Sequence, residues 1–136
     1  MKKFHSTALI GTGYWGSLIF NTLTKVTKNK IYIYDINKQN SKLLKNKFRE
    51  KAFVAKNTDE ILNNKTIKNI ILATHPSINY ELGKKILNKH KNLFIEKPIV
   101  TDAKKLSKLI KLAKSNKKIL MGGYIYLFNI YIKKIK

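Results

Sequence analysis

Three short segments of the chain carry residue types that do chemistry. Gly11-Thr12-Gly13-Tyr14-Trp15-Gly16 has the spacing G-x-G-x-x-G, follows an apolar run and opens a helical pattern. In that context the first glycine permits a tight turn and the second lets the backbone approach a pyrophosphate. The third lets the helix pack close to the strand. The free amides and positive dipole end of the helix then face the phosphates. This makes Gly11, Gly13, Tyr14, Trp15 and Gly16 cofactor-binding candidates. Asp35 lies 19 residues beyond Gly16, at the end of the second β-rich run. There a carboxylate accepts hydrogen bonds from an adenosine ribose and repels a 2′-phosphate, which favours NAD over NADP. The nearby Lys38 and Lys42 weaken that preference, so NADP stays open. The plainer alternative is a glycine-rich strand–helix turn with Asp35 as an ordinary turn residue.

The second segment is Glu96-Lys97-Pro98, directly after another apolar run. Ligands of open parallel sheets bind beyond the carboxyl ends of the strands, so a lysine here is placed to meet one. Its ammonium could polarise a substrate hydroxyl or carbonyl and shuttle the proton. That role needs a lowered pKa, which partial burial and neighbouring lysines would give. The same residues read equally as one exposed lysine in a proline turn. The third segment, Ala73-Thr74-His75-Pro76, ends a strand on the same edge. Thr74 and His75 are placed to line the cleft, and His75 has no evident catalytic partner.

These segments need a scaffold that brings strand ends together. Six apolar runs alternate with helical periods. Strands are expected at Thr7–Ile10, Ile31–Tyr34, Ala52–Ala55, Asn69–Ala73, Leu93–Ile95 and Ile119–Met121. A helix over Tyr14–Thr24 turns Leu18, Ile19 and Leu23 inward, and one over Lys38–Glu50 carries Leu43, Leu44 and Phe48. A short helix starts at Asn57, with Glu60 three residues on. The next starts at Pro76-Ser77 and carries Ile78, Leu82, Ile86 and Leu87. Thr101 is expected to cap a helix with Ala103, Leu106, Leu109, Ile110 and Ala113 inward. Continuous apolar strands imply burial on both faces, and the alternation implies a parallel sheet. The expected fold is a Rossmann-type doubly wound α/β sheet of about six strands in three layers.

The chain has 136 residues, no cysteine and a formal charge of +22. The length suits one domain with at most a short appendage. Without cysteine there is no disulfide, zinc–thiolate or iron–sulfur chemistry, and three scattered histidines offer no metal site. The basic residues are 28 lysines and one arginine, Arg49. Nucleic-acid readers usually use arginine as well, because its fork pairs with guanine and phosphate. The lysines are spread in ones and twos, which argues for a solvated surface over a nucleic-acid partner. The uncharged run from Phe4 to Thr24 contains three glycines and is a poor signal peptide or spanning helix. A soluble cytoplasmic protein is expected.

With these motifs in order, the chain resembles the Gfo/Idh/MocA family of NAD(P)-dependent oxidoreductases, and most closely the members acting on nucleotide-linked sugars. The resemblance rests on the Gly11–Gly16 loop with Tyr14-Trp15, Asp35, Ala73-Thr74 with Pro76, Tyr80-Glu81-Leu82, Glu96-Lys97-Pro98 and residues 123–129. It implies a hydride passed between a sugar carbon and nicotinamide. It also implies that Lys97 orients or protonates the reacting oxygen, with Glu96 near the nicotinamide ribose. The family usually has Gly where His90 stands, often His at Asn79 and Tyr124, and often Pro at Ile130. Its enzymes continue into a substrate domain that supplies a catalytic histidine. Residues 1–122 are therefore expected to form the nucleotide-binding domain, and 123–136 the start of a substrate domain otherwise absent. The exposed row Tyr124–Tyr131 would then drive self-association. The alternatives are a non-catalytic dinucleotide-binding fragment and a basic nucleic-acid-binding protein.

Overall fold

The apolar runs pair into one sheet. The computed structural model describes residues 5–135. The strands are β1 (Ser6–Ile10), β2 (Ile31–Tyr34), β3 (Ala52–Val54), β4 (Ile67–Leu72), β5 (Asn92–Ile95) and β6 (Leu120–Gly122). The helices are α1 (Tyr14–Val26), α2 (Lys38–Phe48), α3 (Thr58–Asn63), α4 (Pro76–Asn88), α5 (Ala103–Ser115) and α6 (Ile130–Ile135). The strand order is β3-β2-β1-β4-β5-β6, and every pairing is parallel. The order reverses at β1 and β4, where Leu9 pairs with Ile33 on one side and Ile71 on the other. Such a switch point opens a crevice beyond the strand ends, and that is where ligands bind. This is the doubly wound Rossmann fold.

Alternation along β1 splits the core in two. Leu9 packs with Phe20 of α1, Ile31 and Ile33 of β2 and Leu44 of α2. Ala8 and Ile10 face the opposite layer, with Ile61 of α3, Ile86 of α4 and Leu109 of α5. Each large side chain removed from water this way contributes about 1.5–3 kcal/mol. The two layers hold β1 from both faces and so fix the loop that follows it.

Several inward assignments shift. Phe20 is fully buried, whereas Leu18 is 44% exposed. Gly16 and Phe20 share one face of α1, and Leu18 falls off it. On α2 the buried face runs through Ser41 and Leu44, and Leu43 points outward at 59% exposure. Ile78 and Ile110 are likewise exposed. The cap of α5 is Asp102, not Thr101, because the Asp102 carboxylate accepts from the amides of Lys104 and Lys105. The helix expected to Glu50 closes at Phe48 and tightens into a 3-10 turn over Arg49–Lys51. His90 adopts φ +53°, the left-handed conformation that glycine, the family's usual residue there, takes most easily.

One cation is buried at the amino edge of the sheet. The Lys91 ammonium donates to the carbonyls of Asn64 and Ile67 and ties the turn before β4 to the start of β5. Burial pushes its pKa down, and the nearby Lys68 and Lys89 push in the same direction.

Candidate nucleotide-binding site

The loop after β1 is fitted to its neighbours by backbone alone. Gly11 sits at φ +90°, a conformation that side-chain-bearing residues rarely adopt, and a Cβ there would run into the Ala73 carbonyl. A Cβ on Gly16 would run into the Gly11 carbonyl. Gly13 differs, because nothing lies within 4 Å of where its Cβ would be. It is the N-cap of α1, with no side chain capping the helix. No side chain therefore caps the first amides of this 13-residue helix, and the space beside Gly13 is open. That open cradle at a helix amino end fits a pyrophosphate.

Asp35 anchors this loop. Its Oδ2 accepts from the Thr12 amide at 2.6 Å and the Thr12 hydroxyl at 3.2 Å, and its Oδ1 accepts from the Asn37 amide at 2.8 Å. The Thr12 hydroxyl also meets the buried Ser41 hydroxyl at 3.3 Å. The end of β2, the glycine loop and α2 are thereby locked together.

A cleft of about 350 Å³ brings together Gly11, Gly13, Asp35, Thr74 and His75, with Ile10 and Ala73 also in its lining. His75 caps α4 by accepting from the Ser77 amide through Nδ1, with Pro76 in the first helical position. The other sequence candidates lie outside these walls. Gly16 is buried under the loop, and Tyr14 and Trp15 are 74% and 58% exposed. Tyr14 instead joins Leu18 and Leu43 along a groove between α1 and α2.

Glu96 and Lys97 sit on the same strand edge, beyond β5. The Glu96 carboxylate accepts from the Lys97 amide and lies against Gly123 so closely that a Cβ there would clash. The Lys97 side chain is exposed, contrary to the partial burial its expected role called for. Asn79 of α4 is 1% exposed and joins the two loops. Its Oδ1 accepts from the Thr74 hydroxyl at 2.6 Å, and its Nδ2 donates to the Ile99 carbonyl at 3.0 Å.

Residues 5–124 match the oxidoreductase family Gfo/Idh/MocA over its NAD-binding Rossmann-fold domain. The chain belongs to this family. An uncharacterized oxidoreductase of Schizosaccharomyces pombe is 27% identical over 121 residues, covering 87% of this chain and 33% of the relative. Two solved structures share the fold. A UDP-N-acetylglucosamine 3-dehydrogenase from Acidithiobacillus ferrooxidans superposes with a TM-score of 0.86 at 19% identity, covering 97% of this chain and 42% of that one. GenD2 from gentamicin A biosynthesis, solved in complex with NAD, superposes with a TM-score of 0.80 at 21% identity, covering 88% and 34%. The chain thus spans about a third of the length of the curated relative.

As a Gfo/Idh/MocA domain, the chain carries positioning residues that motif reading passed over. Thr12 and Ser41 are buried polar groups, as is Asn79. A signal existed for two of them. Ser41 shares its face of α2 with Leu44, and Asn79 shares its face of α4 with Gly83 and Ile86. A polar residue on an apolar stripe needs a partner, because an unpaired buried group costs about 1–3 kcal/mol. No helix of the described residues is long and apolar enough to cross a membrane.

Proposed function

We propose that this NAD-binding domain serves an oxidoreductase acting on a sugar or sugar-nucleotide hydroxyl or carbonyl. The observation that supports the nucleotide half is the open space over Gly13, set between two glycines whose neighbours leave no room for a side chain. In this reading Gly11, Gly13 and the amides of Tyr14 and Trp15 hold the pyrophosphate. Asp35 receives the adenosine ribose, and Thr74 and His75 wall the cleft. When bound, the nicotinamide ring is the partner that gives or takes the hydride. Lys97 holds or delivers the proton of the reacting oxygen, and Glu96 steadies the nicotinamide ribose. Lys97 is exposed and so open to a substrate.

Residues 1–122 form the nucleotide unit in this proposal, and residues 123–136 open the substrate unit. Residues 1–4 and 136 lie outside the described residues. The change of character supports that boundary. Ile125, Tyr126, Leu127, Phe128, Ile130 and Tyr131 are all 59% or more exposed. Apolar surface of this extent calls for a covering partner, and a second copy is the simplest. Light scattering across a concentration series should show association, and a monomer throughout would remove the self-association reading.

Titration of NADH into the chain, followed by nucleotide fluorescence, tests the site. Saturable binding that is abolished in Gly13→Asp supports the reading, and no binding by the folded chain sinks it. Asp35→Ala is a less selective control, since the Asp35 carboxylate also holds the Thr12 amide.

A further inference from the structure

A concentration of unopposed positive charge lies at the edge of the sheet away from the glycine loop. A recess of about 270 Å³ opens where α3 runs into β4 and α4 runs into β5. Four lysines line it, Lys65, Lys68, Lys89 and Lys91, together with His90, and no acid does. Two short segments supply them, one entering β4 and one entering β5. Parallel pairing of these two strands holds the segments side by side.

The fold accounts for part of this charge. The helix α3 ends at Asn63 and α4 at Asn88, so the carbonyl ends of both helices lie at the recess. Each end carries roughly half a negative elementary charge, so the two together balance about one of the ammonium groups. Lys91 is 4% exposed and spends two of its three N–H groups on the carbonyls of Asn64 and Ile67. Lys89 donates to the Asn63 side chain at 2.8 Å. Lys65, Lys68 and His90 have no hydrogen-bond or ion-pair partner for their side chains among the described residues. The single ion pair there is Glu81 with Lys84. Burial lowers the Lys91 pKa first, and Lys68 and Lys89 then add to it, as ammonium groups do when they stand close with no acid between them. His90 stands where the family usually has glycine, so this chain adds a ring donor to a wall already basic.

We propose that this recess binds a compact oxyanion, phosphate or pyrophosphate, held by Lys65, Lys68 and His90, and that the bound anion relieves the repulsion on Lys91. A single recess with cations on two sides suits a compact anion, whereas a nucleic-acid strand is tracked by a charged groove with stacking aromatics. No aromatic side chain lines the recess besides His90. The site stands apart from the nucleotide reading. It lies at the amino ends of β4 and β5, while Gly11, Asp35 and Thr74 lie beyond the carboxyl ends of their strands.

The test is a calorimetric titration of the full chain with sodium pyrophosphate at fixed ionic strength. It is run in the Gly13→Asp variant, so that the glycine loop offers no competing site. One saturable site should appear, and Lys68→Gln in this background should weaken it about tenfold, the loss of one charge-assisted hydrogen bond. His90→Gly should weaken it less. Lys104→Gln, on the first turn of α5 at the opposite edge, should leave it within about twofold because distant exposed charges are screened. Thermal unfolding in chloride alone separates a ligand site from lysines that only cap helix ends. With no oxyanion present, Lys68→Gln removes a repulsion and should unfold at the same temperature or higher. Pyrophosphate should then raise its midpoint less than that of the parent chain. No saturable binding overturns the proposal. Equal losses from Lys68→Gln and Lys104→Gln also overturn it, because they would report net charge and not a pocket. A lower midpoint for Lys68→Gln in chloride with pyrophosphate affinity unchanged makes Lys68 a structural cap and overturns it too. Tighter binding of oligo-dT than of pyrophosphate, weakened by the same Lys68→Gln, would give the recess to a nucleic-acid strand and overturn the compact anion.

Discussion

The loops after β1 and after β5 leave the same edge of the sheet but are built on opposite terms. In the first, position is fixed by backbone contact. Gly11 and Gly16 touch carbonyls that tolerate no side chain, and Asp35 ties the Thr12 amide to the end of β2. In the second, only the flanks are fixed. Glu96 lies against Gly123 and Asn79 holds the Ile99 carbonyl, while the Lys97 side chain stands free in solvent. A cofactor cradle must exist before the ligand arrives, since pre-organisation is what lowers the cost of binding. In the proposed reading Lys97 handles a proton, a task useful only against a substrate, whose presence would complete its environment.

If that contrast is right, the largest effects belong to the first loop. Gly16→Ala drives a methyl into the Gly11 carbonyl and should cost about 3 kcal/mol, the upper range for overpacking against a group that cannot yield. Urea unfolding reads this directly, and an unchanged midpoint would mean the loop is softer than its contacts suggest. Gly13→Asp separates fold from function within the same loop. Its Cβ meets open space and an N-cap carboxylate is favourable, so stability should hold or rise by about a few tenths of a kcal/mol. The same charge faces the pyrophosphate, and NADH affinity should fall about a hundredfold, or about 2.7 kcal/mol. A parallel loss of stability would show that the glycines act as one structural unit, which breaks the distinction between them.

Asn79 joins the two loops and should sit between them in effect. Asn79→Ala leaves the Thr74 hydroxyl and the Ile99 carbonyl without this partner in a buried place. The expected cost is about 1–3 kcal/mol. NADH affinity should fall only modestly, because Thr74 is one of a dozen residues lining the cleft and Asn79 is not among them. A hundredfold loss in affinity at unchanged stability would instead make Asn79 part of the cradle.

Much of the fold was legible because its signals are local. Glycine spacing, apolar strand runs and Asn57 with Glu60 each need only a few neighbouring residues, and Asn57 does cap α3 by accepting from the Glu60 amide. Parallel pairing follows from strands that alternate with helices, whereas the order β3-β2-β1-β4-β5-β6 is seen only in the structure. What stayed hidden depended on rotation about helix axes. Leu18 and Leu43 are apolar yet exposed, because Phe20 and Leu44 set the phase of their helices. Both instead border the groove between α1 and α2. The pairings Thr12–Ser41 and Thr74–Asn79 join different elements, so no local pattern announces them. Asp35 falls just beyond β2, as its place in the sequence implies, and there it braces the glycine loop by accepting from the Thr12 amide, a contact no motif announces.

The smallest effect should come from the residue with the most chemical interest. Lys97 makes no side-chain bond among the described residues and is exposed, so Lys97→Ala removes no packing and no partner. Stability should stay within about 0.5 kcal/mol, as for surface positions in general. NADH affinity should stay within about twofold if the cradle is complete without this loop. Nucleotide titration beside urea unfolding checks both at once. A tenfold loss of NADH affinity would mean that the free ammonium closes onto bound nucleotide, and the β5 loop would then belong to the cofactor site as much as the β1 loop does. An unchanged affinity keeps Lys97 for the substrate side, where its effect would be read on kcat and not on cofactor binding.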